Sequence, residues 1–290
     1  MNHSGNRHWR RGLLALLLSM LAGHSWASHA WGTYHWARTA NPFALQVGNN
    51  MTADWTTHLQ LSVQDWNNPI GFGASSTPLK VMLVAGRSSK RTCSMVAGTT
   101  QVCNGKYGFN GWLGLASINI SGGSHITQGT AKMNDSYFNL QSYNTPNEKR
   151  HVVCQEVAHT FGLDHQSVDG GSLNTCMDYF SNTGANAGST LSTTPNAHDF
   201  EQLTLIYTHL DTVTTLAAGA GSASAADIDI GDDPRSWGVL VRQSANGRSS
   251  VYERENRNGS KTVTHVYWTQ EAAQRCRSCD HRFETHDAQP

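Results

Sequence analysis

The sequence predicts an α+β protein, and three observations favour this class. Short apolar runs bounded by glycine or polar residues recur through the first half of the chain. Two later stretches have the start signals and apolar stripes of helices, and three more strand-like runs follow near the C-terminus. Strands and helices therefore alternate irregularly, without the repeated strand–helix order of a parallel α/β protein.

The first half of the chain predicts one helix and several strands. Residues 52–66 carry a broadly apolar helical face that includes Trp55, Leu59 and Trp66, and Thr52 supplies capping chemistry. The stretches that read as strands are 42–48, 79–84, 112–120 and 126–133. Gly122-Gly123 ends the third of these strands, so the fourth is expected to be its neighbour.

Two further helices are predicted in the second half. Thr145-Pro146-Asn147-Glu148 combines a capping residue, a proline at the first helical position and a capping-box glutamate. This helix should run to Phe161, because Gly162 supplies a left-handed terminus. Thr194-Pro195 starts the other helix, whose apolar stripe extends to Leu210.

The composition changes after Thr212. Residues 217–226 are all Ala, Gly or Ser, which is typical of a flexible linker. The strand-like runs that follow are 237–242, 249–254 and 261–268, joined by the turn signals Asn246-Gly247 and Asn258-Gly259. They predict a small three-stranded meander that packs on the main domain. The predicted divisions are a signal peptide (1–30), a catalytic domain (31–211), a linker (212–235) and a β-rich appendage with a tail (236–290).

The N-terminus predicts export. Arg7, Arg10 and Arg11 precede the apolar run 12–22, which is shorter than the roughly 20 residues of a spanning helix. Small residues around Ala27 and Ala30 offer cleavage sites. No later run is long enough to anchor the protein in a membrane. We therefore expect a secreted protein, extracellular or periplasmic.

The charge balance excludes two classes of partner. Charged residues make up 14% of the 290 residues and cancel to a formal net charge of zero, so neither nucleic acid nor an anionic membrane is expected to bind. The hydrophobic fraction of 38% is sufficient for a core. We expect a monomer.

Six cysteines fit an oxidising compartment. Cys93 and Cys103 flank Gly98 and predict a disulfide-closed hairpin. A bond between Cys154 and Cys176 would tie the second helix to the following loop and contribute roughly 3 kcal/mol by loop closure. Cys276 and Cys279 form a lone CxxC, for which a local disulfide or a disordered tail is favoured over half of a structural zinc site.

The segment 155–165 carries the chemistry. Gln155 and His159 are one helical turn apart and face the same way, while Glu156 lies beside them. Gly162 breaks the helix and lets the chain turn back, so His165 can approach the metal from below. Three protein ligands and one water make an open, catalytic zinc site. Zinc lowers the pKa of bound water and polarises a carbonyl, while Glu156 takes and returns the proton.

Together with Cys176-Met177-Asp178-Tyr179, this segment resembles the metzincin clan of zinc endopeptidases. The clan pattern is His-Glu-x-x-His-x-x-Gly-x-x-His followed by a Met-turn, and the order of predicted elements over about residues 31–211 is also similar. The resemblance implies a mixed twisted sheet, an active-site helix, a Met-turn and a C-terminal helix. It does not cover the tail.

The resemblance also implies residue roles. His159 and His165 would bind Zn2+, Glu156 would be the general base and acid, and Met177 would form the hydrophobic floor under the metal. Tyr179 stands where some clan members place a tyrosine that ligates zinc or stabilises the oxyanion; core packing is the alternative. The strand 112–120 would be the edge strand that pairs with an extended peptide substrate.

Gln155 departs from the clan pattern, which has histidine there. Its side-chain oxygen can ligate zinc but is a poorer donor than imidazole. His151 is no replacement, because it lies about 12 Å along the helix axis from His159. We expect Gln155 to face the metal, as a weak ligand or leaving room for an extra water.

Several other polar residues have simpler explanations. His125 follows Gly122-Gly123-Ser124 and is expected to be a surface-loop residue rather than part of a second metal site. Asp164 and Asp178 either orient ligands through hydrogen bonds or face solvent.

The sequence thus predicts a secreted zinc-dependent endopeptidase that acts on peptide or protein substrates. One alternative is a catalytically impaired protein that binds peptide or metal. The other is a zinc amidase that acts on cell-wall amides.

Overall fold

The chain folds around one mixed β-sheet, as a computed structural model shows for Met1, residues 29–217, residues 233–284 and His286. Within these residues the sheet has nine strands, and five α-helices accompany it, so the α+β class is confirmed. The strands are β1 (His35–Trp36), β2 (Phe43–Asn50), β3 (Leu79–Ala85), β4 (Thr99–Gly105), β5 (Trp112–Ser121), β6 (His125–Asn134), β7 (Val239–Gln243), β8 (Ser249–Glu255) and β9 (Lys261–Trp268). The helices are α1 (Ala53–Trp66), α2 (Asp135–Phe138), α3 (Pro146–His159), α4 (Ala197–Ile206) and α5 (Gln270–Arg275).

The sheet has a parallel and an antiparallel half. Its strand order is β3-β2-β4-β6-β5-β9-β8-β7, with β1 also pairing with β6. The pairs among β2, β3, β4 and β6 are parallel, as is the pair of β1 with β6. From β5 onward every pair is antiparallel. The helices α1 and α3 contribute buried side chains to one large hydrophobic core with this sheet.

Most predicted elements are confirmed within a few residues. Strand β4 was missed, because its sequence is mostly polar and its side chains are buried through hydrogen bonds with one another. For example, Gln101 Nε2 donates to Thr99 Oγ1 at 2.9 Å and Gln101 Oε1 accepts from Asn50 Nδ2 at 3.0 Å. Such contacts come from tertiary structure and leave no apolar pattern.

The predicted capping is only partly correct. Thr145 Oγ1 accepts from the Glu148 backbone N–H at 3.1 Å, as expected. The Glu148 carboxylate does not complete a capping box; it accepts instead from the Asn182 backbone N–H at 2.6 Å. Helix α3 ends at His159, short of Phe161. Thr52 precedes α1 without a side-chain capping bond.

Strand β5 is not an edge strand, so that prediction is wrong. It pairs with β6 on one side and with β9 on the other, along Trp112–Ile120. The edge that was expected to receive a peptide substrate is therefore occupied by the C-terminal part of the chain itself.

The predicted C-terminal meander forms as β7, β8 and β9, but it continues the main sheet. A second hydrophobic cluster joins its side chains to residues before and within β5. The cluster consists of Tyr107, Trp112, Leu115, Trp237, Tyr252, Val266, Trp268 and Ala272. The first residues of the predicted linker also contact the main domain, since the Thr215 backbone N–H donates to the Ala37 carbonyl at 3.0 Å. Residues 218–232 of that linker lie outside the described residues.

The cysteine pairs fit an oxidising, extracellular-type environment. Cys154–Cys176 is bonded as predicted, and Cys276–Cys279 forms a local disulfide. Cys93–Cys103 is also bonded, but the predicted hairpin does not form, because Cys93 lies in a loop and β4 pairs with β2 and β6 instead. Among the described residues, no helix has both the length and the apolar character to cross a membrane. Most of the predicted signal peptide, residues 2–28, lies outside the described part of the chain.

His29 is nevertheless integrated into the fold. It is buried, and its carbonyl accepts from the Asp164 backbone N–H at 2.5 Å. The adjoining Ala30 bridges to Leu163. Two cleavage sites were predicted. Cleavage after Ala27 would keep the contacts of His29 and Ala30, whereas cleavage after Ala30 would remove them.

Candidate metal centre

Helix α3 and the turn after it bring His159 and His165 together. Gly162 has a φ of 96°, and an added Cβ would lie 2.4 Å from the Tyr34 carbonyl oxygen, so glycine is required both for the conformation and for the space. The chain reverses there. As a result, the Nε2 atoms of His159 and His165 lie 3.0 Å apart.

Both imidazoles direct a lone pair into this gap. His159 Nδ1 lies 2.8 Å from the Leu163 carbonyl, which can only accept, so Nδ1 carries the proton and Nε2 the lone pair. His165 Nδ1 lies 3.2 Å from Asp164 Oδ1, with the same consequence. Two facing lone pairs at this separation repel each other unless a cation lies between them.

Asp164 is held in its ionised form. Burial alone raises the pKa of its carboxyl, but the hydrogen bond and charge of His165 and the charge of Arg242 outweigh burial and lower the pKa below its usual range. Arg242 lies on β7 and forms a salt bridge with Asp164. The C-terminal strands therefore support the residue that orients His165.

A third imidazole comes from β9. His265 lies opposite Ala116 of β5, and its ring centroid is 4.0 Å from that of His159 and 4.5 Å from that of His165. Its Nε2 lies 3.0 Å from both Tyr179 Oη and Ser249 Oγ. When Nε2–H donates to one of these hydroxyl oxygens, Nδ1 keeps its lone pair, and this buried atom has no hydrogen-bond partner among the described residues.

Glu156 lies beside the three histidines. It is fully buried, and neither carboxyl oxygen has a hydrogen-bond partner among the described residues. Its Oε2 is 3.8 Å from His265 Nδ1. Gly114 of β5 makes room for it, because a Cβ there would lie 2.4 Å from Glu156 Oε1.

Burial sets the protonation of the site. It raises the pKa of Glu156 well above the ordinary 4.5. It also lowers the pKa of His165 and holds the pKa values of His159 and His265 well below the ordinary 6.5. The three rings are therefore neutral near neutral pH, which is the form that binds metal.

Gln155 makes other contacts. Its Nε2 donates to the carbonyl oxygens of Cys176 and Asp178, each at 2.8 Å. The amide thus holds the turn at residues 176–178, the predicted Met-turn, against α3. Its Oε1 is buried without a hydrogen-bond partner among the described residues. The ligand role of Gln155 stays a prediction, and the amide group is already engaged by the turn.

The Met-turn residues are buried near the histidines. Met177 has no exposed surface, and its carbonyl accepts from the Gln166 backbone N–H at 2.7 Å. The Tyr179 ring packs on His165 with centroids 4.4 Å apart. Asp178 does not face solvent: its Oδ1 accepts from the Phe180 backbone N–H at 3.0 Å.

Glu156, His159 and His165 were predicted from the sequence to lie together, whereas His265 was not. One local signal exists: His265 alternates with Val263 and Tyr267 on the face of β9 that joins the main core. Nothing in the sequence, however, indicates that β9 pairs with β5.

The donor set fits a divalent metal such as zinc. The nitrogens available in His159, His165 and His265 lie within 4.8 Å of one another. A cation between them would account for the facing lone pairs and for the unpartnered atoms of His265 and Glu156. Three imidazoles are a common ligand set of catalytic zinc, with the fourth position left for water.

Comparison with known proteins adds no name to this site. No protein-family model matches the chain, and no curated protein is significantly similar to it. The site is therefore interpreted from its own residues.

Proposed function

We propose that the protein is a secreted zinc-dependent endopeptidase of metzincin type. His159, His165 and His265 would hold the metal, and Glu156 would act as general base and acid. The observation that carries the proposal is the convergence of three neutral imidazoles on one point beside a buried, unpaired carboxylate. The motif resemblance supplies the expectation that a peptide bond is the substrate.

In this proposal His265, rather than Gln155, is the third ligand. The Gln155 oxygen and His265 Nδ1 are both buried without a hydrogen-bond partner among the described residues, but the Gln155 amide is fixed to the turn through its nitrogen, and the His265 nitrogen lies within 4.8 Å of those of His159 and His165. Imidazole is also the better donor for zinc. The C-terminal strands would thus supply the ligand that the helix lacks.

Bound zinc would polarise the carbonyl group of a substrate and lower the pKa of a bound water. Burial raises the pKa of Glu156, so this carboxyl holds a proton more readily than an exposed glutamate does, as a group that takes and returns a proton must. Tyr179 positions His265 through its hydroxyl, which favours a supporting role over direct contact with substrate.

Substrate would reach the site by a route other than the β5 edge. Tyr179 also lines a surface depression together with Ser181, Arg248 and Gln270. This depression connects the solvent with a residue that touches two of the histidines. A peptide lying there would approach the metal without displacing β9.

A second candidate function is a metal-binding protein without turnover. One observation favours it: β9 covers the β5 edge, and Glu156 has no exposed surface. Such a closed site holds a metal ion but excludes an extended substrate.

The test uses the purified full-length chain. Zinc content is measured, and cleavage of casein, gelatin and peptidoglycan is followed with and without chelator. The proposal expects bound zinc, chelator-sensitive protein cleavage, and a loss of about 10²–10⁴-fold in Glu156→Gln with zinc retained. Zinc without cleavage supports the second candidate, and cleavage of peptidoglycan alone supports a zinc amidase.

A further inference from the structure

A second cluster of imidazoles lies outside the candidate metal centre and shares no residue with it. His35 belongs to β1, and His125 begins β6 beside it, since the two residues are register partners. His209 and Asp211 lie in the segment after α4. We propose that His35, His125 and Asp211 bind a second zinc ion, with His209 beside them.

The distances centre on one carboxylate oxygen. Asp211 Oδ1 lies 3.3 Å from the Nε2 of His125, 3.4 Å from that of His35 and 3.7 Å from that of His209. The Nε2 atoms of His35 and His209 are 3.2 Å apart. Ligands at Zn–N and Zn–O distances of about 2.0–2.1 Å in a tetrahedron are separated by roughly 3.3 Å. The distances from Asp211 Oδ1 to His35 and His125 match that value closely, and the ligand atoms of these three residues all lie within 4.8 Å of one another.

The surrounding hydrogen bonds orient two of the ligand atoms. His35 Nδ1 lies 2.8 Å from the Thr33 carbonyl and must donate to it, so in the neutral ring Nε2 presents a lone pair to Asp211 Oδ1. Asp211 Oδ2 accepts from Arg38 Nη1 at 2.9 Å and from the Arg38 backbone N–H at 3.1 Å. Oδ1 is thereby directed at the histidines, and a lone pair facing a carboxylate oxygen is stabilised by a cation.

The donor set determines how many ligands the site offers. Two imidazoles and one carboxylate supply three zinc ligands, and the fourth position is left for water or for His209, whose Nε2 lies 3.2 Å from that of His35. The ion can enter from solvent, because the side chains of His125 and His209 are 28% and 55% exposed. A bound ion would fasten β1 and the start of β6 to the segment that follows α4. The prediction that His125 is a surface-loop residue is wrong, because His125 begins β6 at this cluster.

The rival explanation is a protonated His35 that pairs with Asp211 without metal. Zinc stoichiometry of the full-length chain distinguishes the two. We expect two zinc ions in the wild type, one in His125→Ala/His209→Ala and one in His159→Ala. His198→Ala, which removes a partly exposed histidine on α4, is the matched control and should keep both. Because His209 is more than half exposed, His209→Ala alone provides a variant that is expected to fold.

Cobalt provides the second readout. Co2+ in a four-coordinate site gives strong visible absorption, and we expect this signal in His159→Ala but not when His125 and His209 are also replaced. If the proposed catalytic centre binds no zinc, the wild type should contain one zinc ion, which is retained in His159→Ala and lost in His125→Ala/His209→Ala. Equal zinc content and equal cobalt spectra with and without His125 and His209 would overturn the second site.

Discussion

The imidazole of His265 packs against that of His159, with ring centroids 4.0 Å apart, although the two residues belong to β9 and α3. This contact joins the C-terminal strands to the helix that carries the predicted zinc motif. It places a third imidazole beside His159 and His165, so that the C-terminal region belongs to the candidate site.

The first prediction compares His265 with Gln155. His265→Ala should lower zinc affinity at the centre by at least about tenfold, because it removes the proposed third ligand. Gln155→Ala should leave zinc affinity unchanged but lower the free energy of unfolding by about 1–3 kcal/mol, since the Cys176 and Asp178 carbonyls lose their donor. Zinc affinity is measured by competition with a chromogenic chelator, in His125→Ala/His209→Ala chains. Unchanged zinc affinity in His265→Ala together with lowered zinc affinity in Gln155→Ala would show that Gln155 is the ligand instead.

The second prediction concerns the close approach of β5 to α3. In Gly114→Ala the new Cβ would lie 2.4 Å from Glu156 Oε1 and 2.7 Å from Val152 Cγ1. We expect a loss of about 1–3 kcal/mol in the free energy of unfolding, from overpacking, and reduced turnover from a displaced carboxylate. Urea unfolding and peptide cleavage measure the two effects.

Gly188→Ala is the control for this variant, because a Cβ there meets no atom within 4 Å. It should leave both properties nearly unchanged. Equal stability and equal turnover in Gly114→Ala and the wild type would show that Glu156 can shift without consequence.

The third prediction compares two disulfides. Replacing Cys154 and Cys176 by alanine opens a loop with a sequence separation of 22 and should cost about 3 kcal/mol of unfolding free energy. Replacing Cys276 and Cys279, whose separation is 3, should cost clearly less, because a short loop restricts the unfolded chain less. Chemical unfolding of both double variants tests the order, and a reversed order would refute it.

The fourth prediction concerns the pH dependence of the metal-free protein. Burial raises the pKa of Glu156 well above 4.5, so between 4.5 and that raised value the folded state holds a proton that the unfolded state has released. The stability associated with this group is therefore complete below pH 4.5 and is lost as pH rises. Glu156→Gln, which is always neutral, should become more stabilising with increasing pH, by at most about 1.4 kcal/mol per pH unit.

Urea unfolding with chelator at pH 5, 6 and 7 measures this difference between wild type and Glu156→Gln. A constant difference across the three pH values would mean that the carboxyl is solvated or paired in the metal-free protein.

Local signals account for what could be predicted of the fold. The apolar runs of β2, β3 and β5 and the Asn-Gly turns of the meander are read from neighbouring residues, and the corresponding strands form. The capping chemistry of Thr145 and the left-handed Gly162 likewise act within a few residues. Strand β4 had no such signal, because buried hydrogen bonds replace apolar contacts there.

The sequence by itself determined the helical half of the candidate site, because the spacing of Glu156 and His159 on a helix and the turn at Gly162 fix their directions locally. Only the tertiary structure decided that His265 joins them and that β9 covers β5, since strand pairing between distant segments depends on the packing of the whole sheet. The cluster of His35, His125, His209 and Asp211 has the same origin. Its residues come from three separate segments, and no spacing along the chain indicates that they meet.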